Sequence, residues 1–84
     1  MPTDDDSRLQ RARNPMPACV RTALEHEGLR EAYDARPPYQ RNDYLGWIAR
    51  AKRKETRDKR LAQMLDELRL GDRYMKMAWR PRSE

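Results

Sequence analysis

Two apolar stripes that are out of phase constrain this chain most. One stripe, with the i, i+3, i+4 spacing of a helix face, ends at Ile48 and Ala51, and a second begins at Leu61. Thirteen steps of roughly 100° separate Ile48 from Leu61, so an unbroken helix would point the stripes about 220° apart. Both stripes reach one core only if the helix breaks between them. We predict a break near residues 52–54, although neither Gly nor Pro stands there.

The same spacing predicts two short helices before this segment. The first stops at Gly28, and the second stops at the Pro-Pro pair because proline cannot continue a helix. The third helix is predicted from residue 38 or 39 to Arg53, and the fourth ends at Gly71. The predicted core comprises Val20, Ala23, Leu24, Leu29, Tyr33, Tyr44, Leu45, Trp47, Ile48, Ala51, Leu61, Met64, Leu65 and Leu68.

The length of 84 residues allows one domain with a thin core, since 39% of the residues are charged and 37% hydrophobic. We therefore predict an all-α fold, a small orthogonal bundle of four short helices. Residues 1–16 are predicted to form a disordered N-terminal arm, 17–73 the helical domain, and 74–84 a tail that is partly docked or disordered.

The positive charge is concentrated where the helix is predicted to break. Seven basic and two acidic residues lie between Arg50 and Arg60, a net charge of +5 that equals the charge of the whole chain. Like charges one turn apart repel each other, and an anionic partner would relieve that repulsion. A solvated helix face is the alternative reading. The candidate anion-binding or partner-binding residues, called the basic corner below, are Arg50, Lys52, Arg53, Lys54, Arg57, Lys59 and Arg60.

The residue inventory argues against an enzyme. Cys19 and His26 would lie two turns apart on the first helix, too far for a nucleophile and its base. The sequence contains no glycine-rich phosphate loop and no metal-ligand spacing, so we expect no cofactor and no metal. The N-terminus lacks the pattern of a secretory signal, so we expect a cytoplasmic location. We also expect a monomer that does not insert into membranes, with peripheral attachment to an envelope left open.

The segment Ala51-Lys52-Arg53-Lys54-Glu55-Thr56-Arg57 resembles the AKR-x-ETR core of the bacterial YdeI/OmpD-associated family, also labelled bacteriocin-protection. The resemblance extends over roughly 17–73. It implies a small all-helical unit linked to tolerance of antimicrobial peptides or stress, and it designates no catalytic residues. Lys54 departs from the family pattern, which commonly has Pro at the start of the last helix.

Side chains at the predicted break also have structural interpretations. Glu55 and Thr56 are predicted to act as helix-start residues, the first pairing with Lys59 and the second binding a free backbone amide. The stems of Lys52 and Arg57 are predicted to lie against Trp47 or Tyr44.

We predict a non-catalytic interaction module that presents the basic corner to an anionic partner, and we expect that partner to be a protein. Nucleic-acid binding is the alternative. Its helix-turn-helix form would read bases with a face made of Thr56, Lys59, Gln63 and Glu67.

Overall fold

The computed structural model describes residues 13–80, so most of the predicted N-terminal arm lies outside the described residues. Four helices and one short hairpin make up this part of the chain, which confirms the prediction of a small, mainly helical domain. The elements are α1 (Ala18–Glu27), α2 (Arg30–Asp34), α3 (Pro38–Ala49), α4 (Lys54–Leu70), β1 (Arg73–Tyr74) and β2 (Met77–Ala78).

The two predicted glycine stops are confirmed. Gly28 has a φ of 69° and Gly71 a φ of 83°, the left-handed conformation that glycine adopts without a Cβ clash. At Gly28 the turn is closed by a hydrogen bond of 2.9 Å from the Leu29 amide to the Leu24 carbonyl. α1 therefore ends in a Schellman motif, and the chain enters α2 at once.

The predicted break between α3 and α4 is confirmed, but the predicted end of α3 at Arg53 was four residues too late. α3 ends at Ala49, and Arg53 is extended, with φ −101° and ψ 146°. Ala51, between the two helices, is 7% exposed. Because no Gly or Pro enforces the stop, tertiary packing sets the position of the bend.

The core lies where α4 packs against the three other helices and β1. Trp47, Leu61 and Leu65 were predicted as core residues, but they are only partly buried and pack against the core from its edge. Ala23 is also only partly buried. The buried cluster consists of Val20, Leu24, Leu29, Tyr33, Tyr44, Leu45, Ile48, Met64 and Leu68.

Residues 13–16, assigned to the predicted arm, lie beside α3. The Asn14 amide donates to Asn42 Oδ1 at 2.7 Å, and Asn14 Nδ2 donates to the Asn42 carbonyl at 3.1 Å. A Cβ at Gly46 would lie 2.7 Å from Asn14 Nδ2. Gly46 thus lets the Asn14 side chain approach the helix.

A two-residue turn joins β1 to β2 after Gly71. The antiparallel register pairs Arg73 with Ala78 and Tyr74 with Met77. Met75 and Lys76 form the turn with φ values of 51° and 66°, and they are the only non-glycine residues with positive φ among residues 13–80. Hairpin turns of this kind strongly favour Asn-Gly, so the local sequence does not itself favour this turn.

Candidate partner-binding site at the bend between two helices

All seven residues of the basic corner lie at the end of α3, in the bend or in the first two turns of α4. Arg57 and Arg60 are partly buried. The other five, Arg50, Lys52, Arg53, Lys54 and Lys59, are exposed. The fold therefore places the predicted residues together at the bend between α3 and α4.

Two of these cations lie close to carboxylates in the first two turns of α4. Lys54 Nζ is 2.9 Å from Asp58 Oδ2, an exposed i,i+4 pair. Arg53 Nη1 is 4.0 Å from Glu55 Oε1, with both side chains more than 70% exposed. Exposed pairs of this kind contribute little to the free energy of unfolding. Stabilisation by ion pairs therefore does not explain why seven cations lie together.

Four other members of the corner have no acidic partner. Among residues 13–80, no carboxylate lies within 4.0 Å of Arg50, Lys52, Arg57 or Lys59, and no hydrogen bond from their side chains is found. Their charges are therefore available to a ligand.

Arg60 has a different role, because it braces the bend. Its Nη1 donates to the Trp47 carbonyl at 2.7 Å, and its guanidinium lies 5.3 Å from the centre of the Trp47 ring. Trp47 is in the last turn of α3, where carbonyls lack partners within the helix. Arg60 thus ties the C-terminal turn of α3 to α4 and fixes the geometry of the basic corner.

Two predictions about neighbouring side chains were wrong, and a third, contact of the Lys52 and Arg57 stems with Trp47 or Tyr44, stays a prediction. The cation that lies over the Trp47 ring is the Arg60 guanidinium. The Thr56 side chain does not cap α4, since the cap position is Arg53 and no side-chain cap bond forms there. Glu55 lies in the first turn as predicted, but its charged neighbour is Arg53 instead of Lys59.

The sequence analysis missed a second polar cluster, centred on the carboxylate of Glu67. This side chain is 4% exposed and accepts hydrogen bonds from four groups. Tyr44 Oη donates to Oε1, and Gln63 Nε2 donates to Oε2 at 3.0 Å. The backbone amides of Met75 and Lys76 donate at 2.8 and 2.7 Å. A buried carboxylate is thus satisfied by neutral donors, two of them from the turn between β1 and β2.

Arg36 also binds the hairpin, and its side chain is likewise 4% exposed. It donates to the carbonyls of Arg73 and Glu67, each at 2.8 Å, and to Gln40 Oε1 at 3.0 Å. Its guanidinium lies 4.4 Å from the centre of the Trp79 ring. Arg36 and Glu67 are called the hairpin clamp below.

Two buried tyrosines of the core have raised pKa values. Burial, followed by the hydrogen bond to Glu67, raises the pKa of Tyr44 well above its usual value. Burial likewise raises the pKa of Tyr33. Both phenols therefore stay neutral in the folded protein at physiological pH.

The burial of Glu67 contradicts part of the predicted base-reading face of α4. That face was predicted to contain Gln63 and Glu67, whereas Glu67 is buried and Gln63 is bonded to it. The predicted base-reading set is therefore wrong for Glu67, and the nucleic-acid alternative itself stays a prediction.

Within residues 13–80 there is no group of three or more His, Cys, Asp or Glu side chains that could hold a metal ion. In the same part of the chain, no helix combines the length and apolar character needed to cross a membrane.

The structure is thus a small helical domain in which the basic corner lies at the bend between α3 and α4, and Arg60 connects the two helices. The family model for bacteriocin-protection, YdeI or OmpD-associated proteins matches residues 15–71. The match spans more than half of the chain, which therefore belongs to this family. No curated protein and no solved structure matches the chain significantly.

Proposed function

We propose that this chain is a non-catalytic binding module that acts in tolerance of bacteriocins or related stress by docking its basic corner onto an acidic protein surface. The observation that carries the proposal is the set of four cations, Arg50, Lys52, Arg57 and Lys59, that lack acidic partners within the described residues. Family membership supports the biological context.

A protein partner is favoured over a nucleic acid because carboxylates are mixed into the corner. Glu55 and Asp58 line the same shallow surface depression as Arg53 and Lys54. These carboxylates would repel the uniformly anionic backbone of a nucleic acid, whereas a protein surface that is acidic overall can also present cations to them. We further propose that the module acts as a cytoplasmic monomer.

The test is a titration of the full chain with a labelled Asp/Glu-rich peptide, and in parallel with duplex DNA and RNA, at several salt concentrations. The binding variant is Lys52→Glu combined with Lys59→Glu. Arg21→Glu combined with Arg80→Glu is the matched control, because it makes the same charge change at exposed positions outside the corner.

We expect the binding variant to weaken peptide affinity by at least about tenfold and the control by no more than about threefold. Equal losses in both variants would mean that net charge, rather than the basic corner, drives binding. Tighter binding of duplex DNA or RNA than of peptide at equal salt would overturn the choice of a protein partner.

A further inference from the structure

The C-terminal hairpin, residues 72–79, is held on the helices largely by main-chain hydrogen bonds to the hairpin clamp. Glu67 accepts the amides of both turn residues, and Arg36 donates to the Arg73 carbonyl. These contacts involve two side chains that are each 4% exposed. The main-chain part of the attachment therefore depends on two residues of the helical domain.

The hairpin has little stability of its own. Each strand has two residues, and an isolated two-stranded hairpin is marginal even when it is longer. Met75 and Lys76 hold left-handed backbone conformations that disfavour side chains with a Cβ. The carboxylate of Glu67 offsets this strain by binding both amides of the turn.

Side chains of the hairpin also contact the helices. Tyr74 meets the Tyr44 ring edge-on at 5.5 Å, and its Oη donates to Asp43 Oδ2 at 2.7 Å. Tyr74 and Met75 are partly buried, whereas Met77 is 57% exposed.

The helical core does not include the hairpin. Every member of the buried cluster lies between Val20 and Leu68. The match to the family model ends at Gly71, immediately before the hairpin. Gly71 is also the left-handed residue at which the chain leaves α4, so the hairpin begins directly after the end of the helix.

We propose that residues 72–79 form a latch that opens and closes as a unit while the four helices remain folded. In the closed state Glu67 and Arg36 bind the hairpin backbone. In the open state both charged side chains lose their hydrogen bonds to the hairpin backbone. The latch is independent of the basic corner, which lies at the opposite end of α4.

The test is amide hydrogen exchange measured residue by residue on the full chain. We expect protection factors at Met75 and Lys76 to be at least about tenfold lower than those at Met64 and Leu68 in the core, because local opening precedes global unfolding. Equal protection at all four positions would overturn the latch, since the hairpin would then open only with the helices.

Two variants change the latch in opposite directions. Glu67→Gln replaces one acceptor oxygen by a donor, and we expect a further loss of protection at Met75 and Lys76 of about tenfold. Met75→Asn with Lys76→Gly supplies the turn residues that tolerate positive φ, and we expect protection at positions 75 and 76 to rise several-fold.

The core amide of Met64 is the internal control for the Asn-Gly variant, because Glu67 also accepts from Tyr44 and its substitution acts on the core as well. In the Asn-Gly variant, protection at Met64 should change by much less than protection at the turn. The latch is excluded if the Asn-Gly variant leaves protection at the turn unchanged, or raises it equally at Met64. Gln63→Ala removes a Glu67 partner without touching the hairpin and should have little effect on the turn.

Discussion

Trp47 lies at the edge of the core, where the Arg60 guanidinium covers its ring at 5.3 Å. We expect Trp47→Ala to lower the free energy of unfolding by about 2–3 kcal/mol, less than the 3–5 kcal/mol typical of a fully buried aromatic residue, because the ring is only partly buried. Urea denaturation monitored by circular dichroism measures this change. A loss above about 4 kcal/mol would show that Trp47 behaves as a core residue, and a loss below about 1 kcal/mol would show that its packing matters little.

Glu67 illustrates what periodicity alone does not provide. It falls between Met64 and Leu68 on the apolar face of α4, and this placement was a signal that the side chain points inward. Besides Gln63 of α4 itself, its partners come from α3 and from a turn with no recognisable hairpin sequence. Long-range contacts of this kind depend on the assembled fold, so neither the buried carboxylate nor its clamp could be derived from local patterns.

The start of α4 has no side-chain cap and no proline, and the effect of adding a proline can be tested. Lys54 is the first residue of α4, and Arg53 before it has the extended backbone that a following proline prefers. No acceptor is found for the Lys54 amide among the described residues. We expect Lys54→Pro to raise the free energy of unfolding by about 0.4–1 kcal/mol relative to Lys54→Ala, since proline restricts the unfolded chain.

Lys54→Ala is the matched reference because both substitutions remove the exposed ion pair with Asp58. Parallel urea melts of the two variants isolate the effect of proline. If the proline variant is the less stable of the two, the backbone at residue 54 does not accommodate the fixed φ of proline, and the prediction is contradicted.

The helices were predictable because their apolar spacing and glycine stops are local signals. The position of the bend was predictable from phase, but the end of α3 at Ala49 was not. It depends on Arg60, thirteen residues after Trp47, which binds a carbonyl of the last turn. The hairpin was missed because Met75 and Lys76 adopt a turn that their residue types disfavour.

The stability of the domain should fall at alkaline pH. Burial, and then the bond to Glu67, raises the pKa of Tyr44 above its unfolded value of about 10. The neutral phenol therefore contributes stability that is fully present below about pH 10 and is lost as the pH rises further. Tyr44→Phe should be about 1–2 kcal/mol less stable than the wild type at neutral pH, with a smaller difference above pH 10.

Urea melts of both proteins across this pH range check the prediction. Tyr39→Phe is the control, since it removes a phenol that is 50% exposed. A difference between wild type and Tyr44→Phe that stays constant or widens above pH 10 would contradict the proposed coupling between Tyr44, its burial and Glu67.

For the candidate site, the sequence predicted which cations lie together, and the fold distinguishes their roles. Arg60 braces the bend, and Lys54 pairs with Asp58. Arg50, Lys52, Arg57 and Lys59 remain without acidic partners within residues 13–80. The density of positive charge can be read from the sequence. Which cation bonds to a backbone carbonyl and which lacks an acidic partner depends on the folded structure.

The most direct test of the basic corner as a binding surface is an amide chemical-shift titration of the isotopically labelled full chain with an Asp/Glu-rich peptide at low salt. We predict saturable shifts that are largest between residues 50 and 60 and that vanish in the Lys52→Glu, Lys59→Glu variant. Shifts centred on Tyr74–Trp79, or the absence of saturable shifts at low salt, would contradict the assignment of this surface.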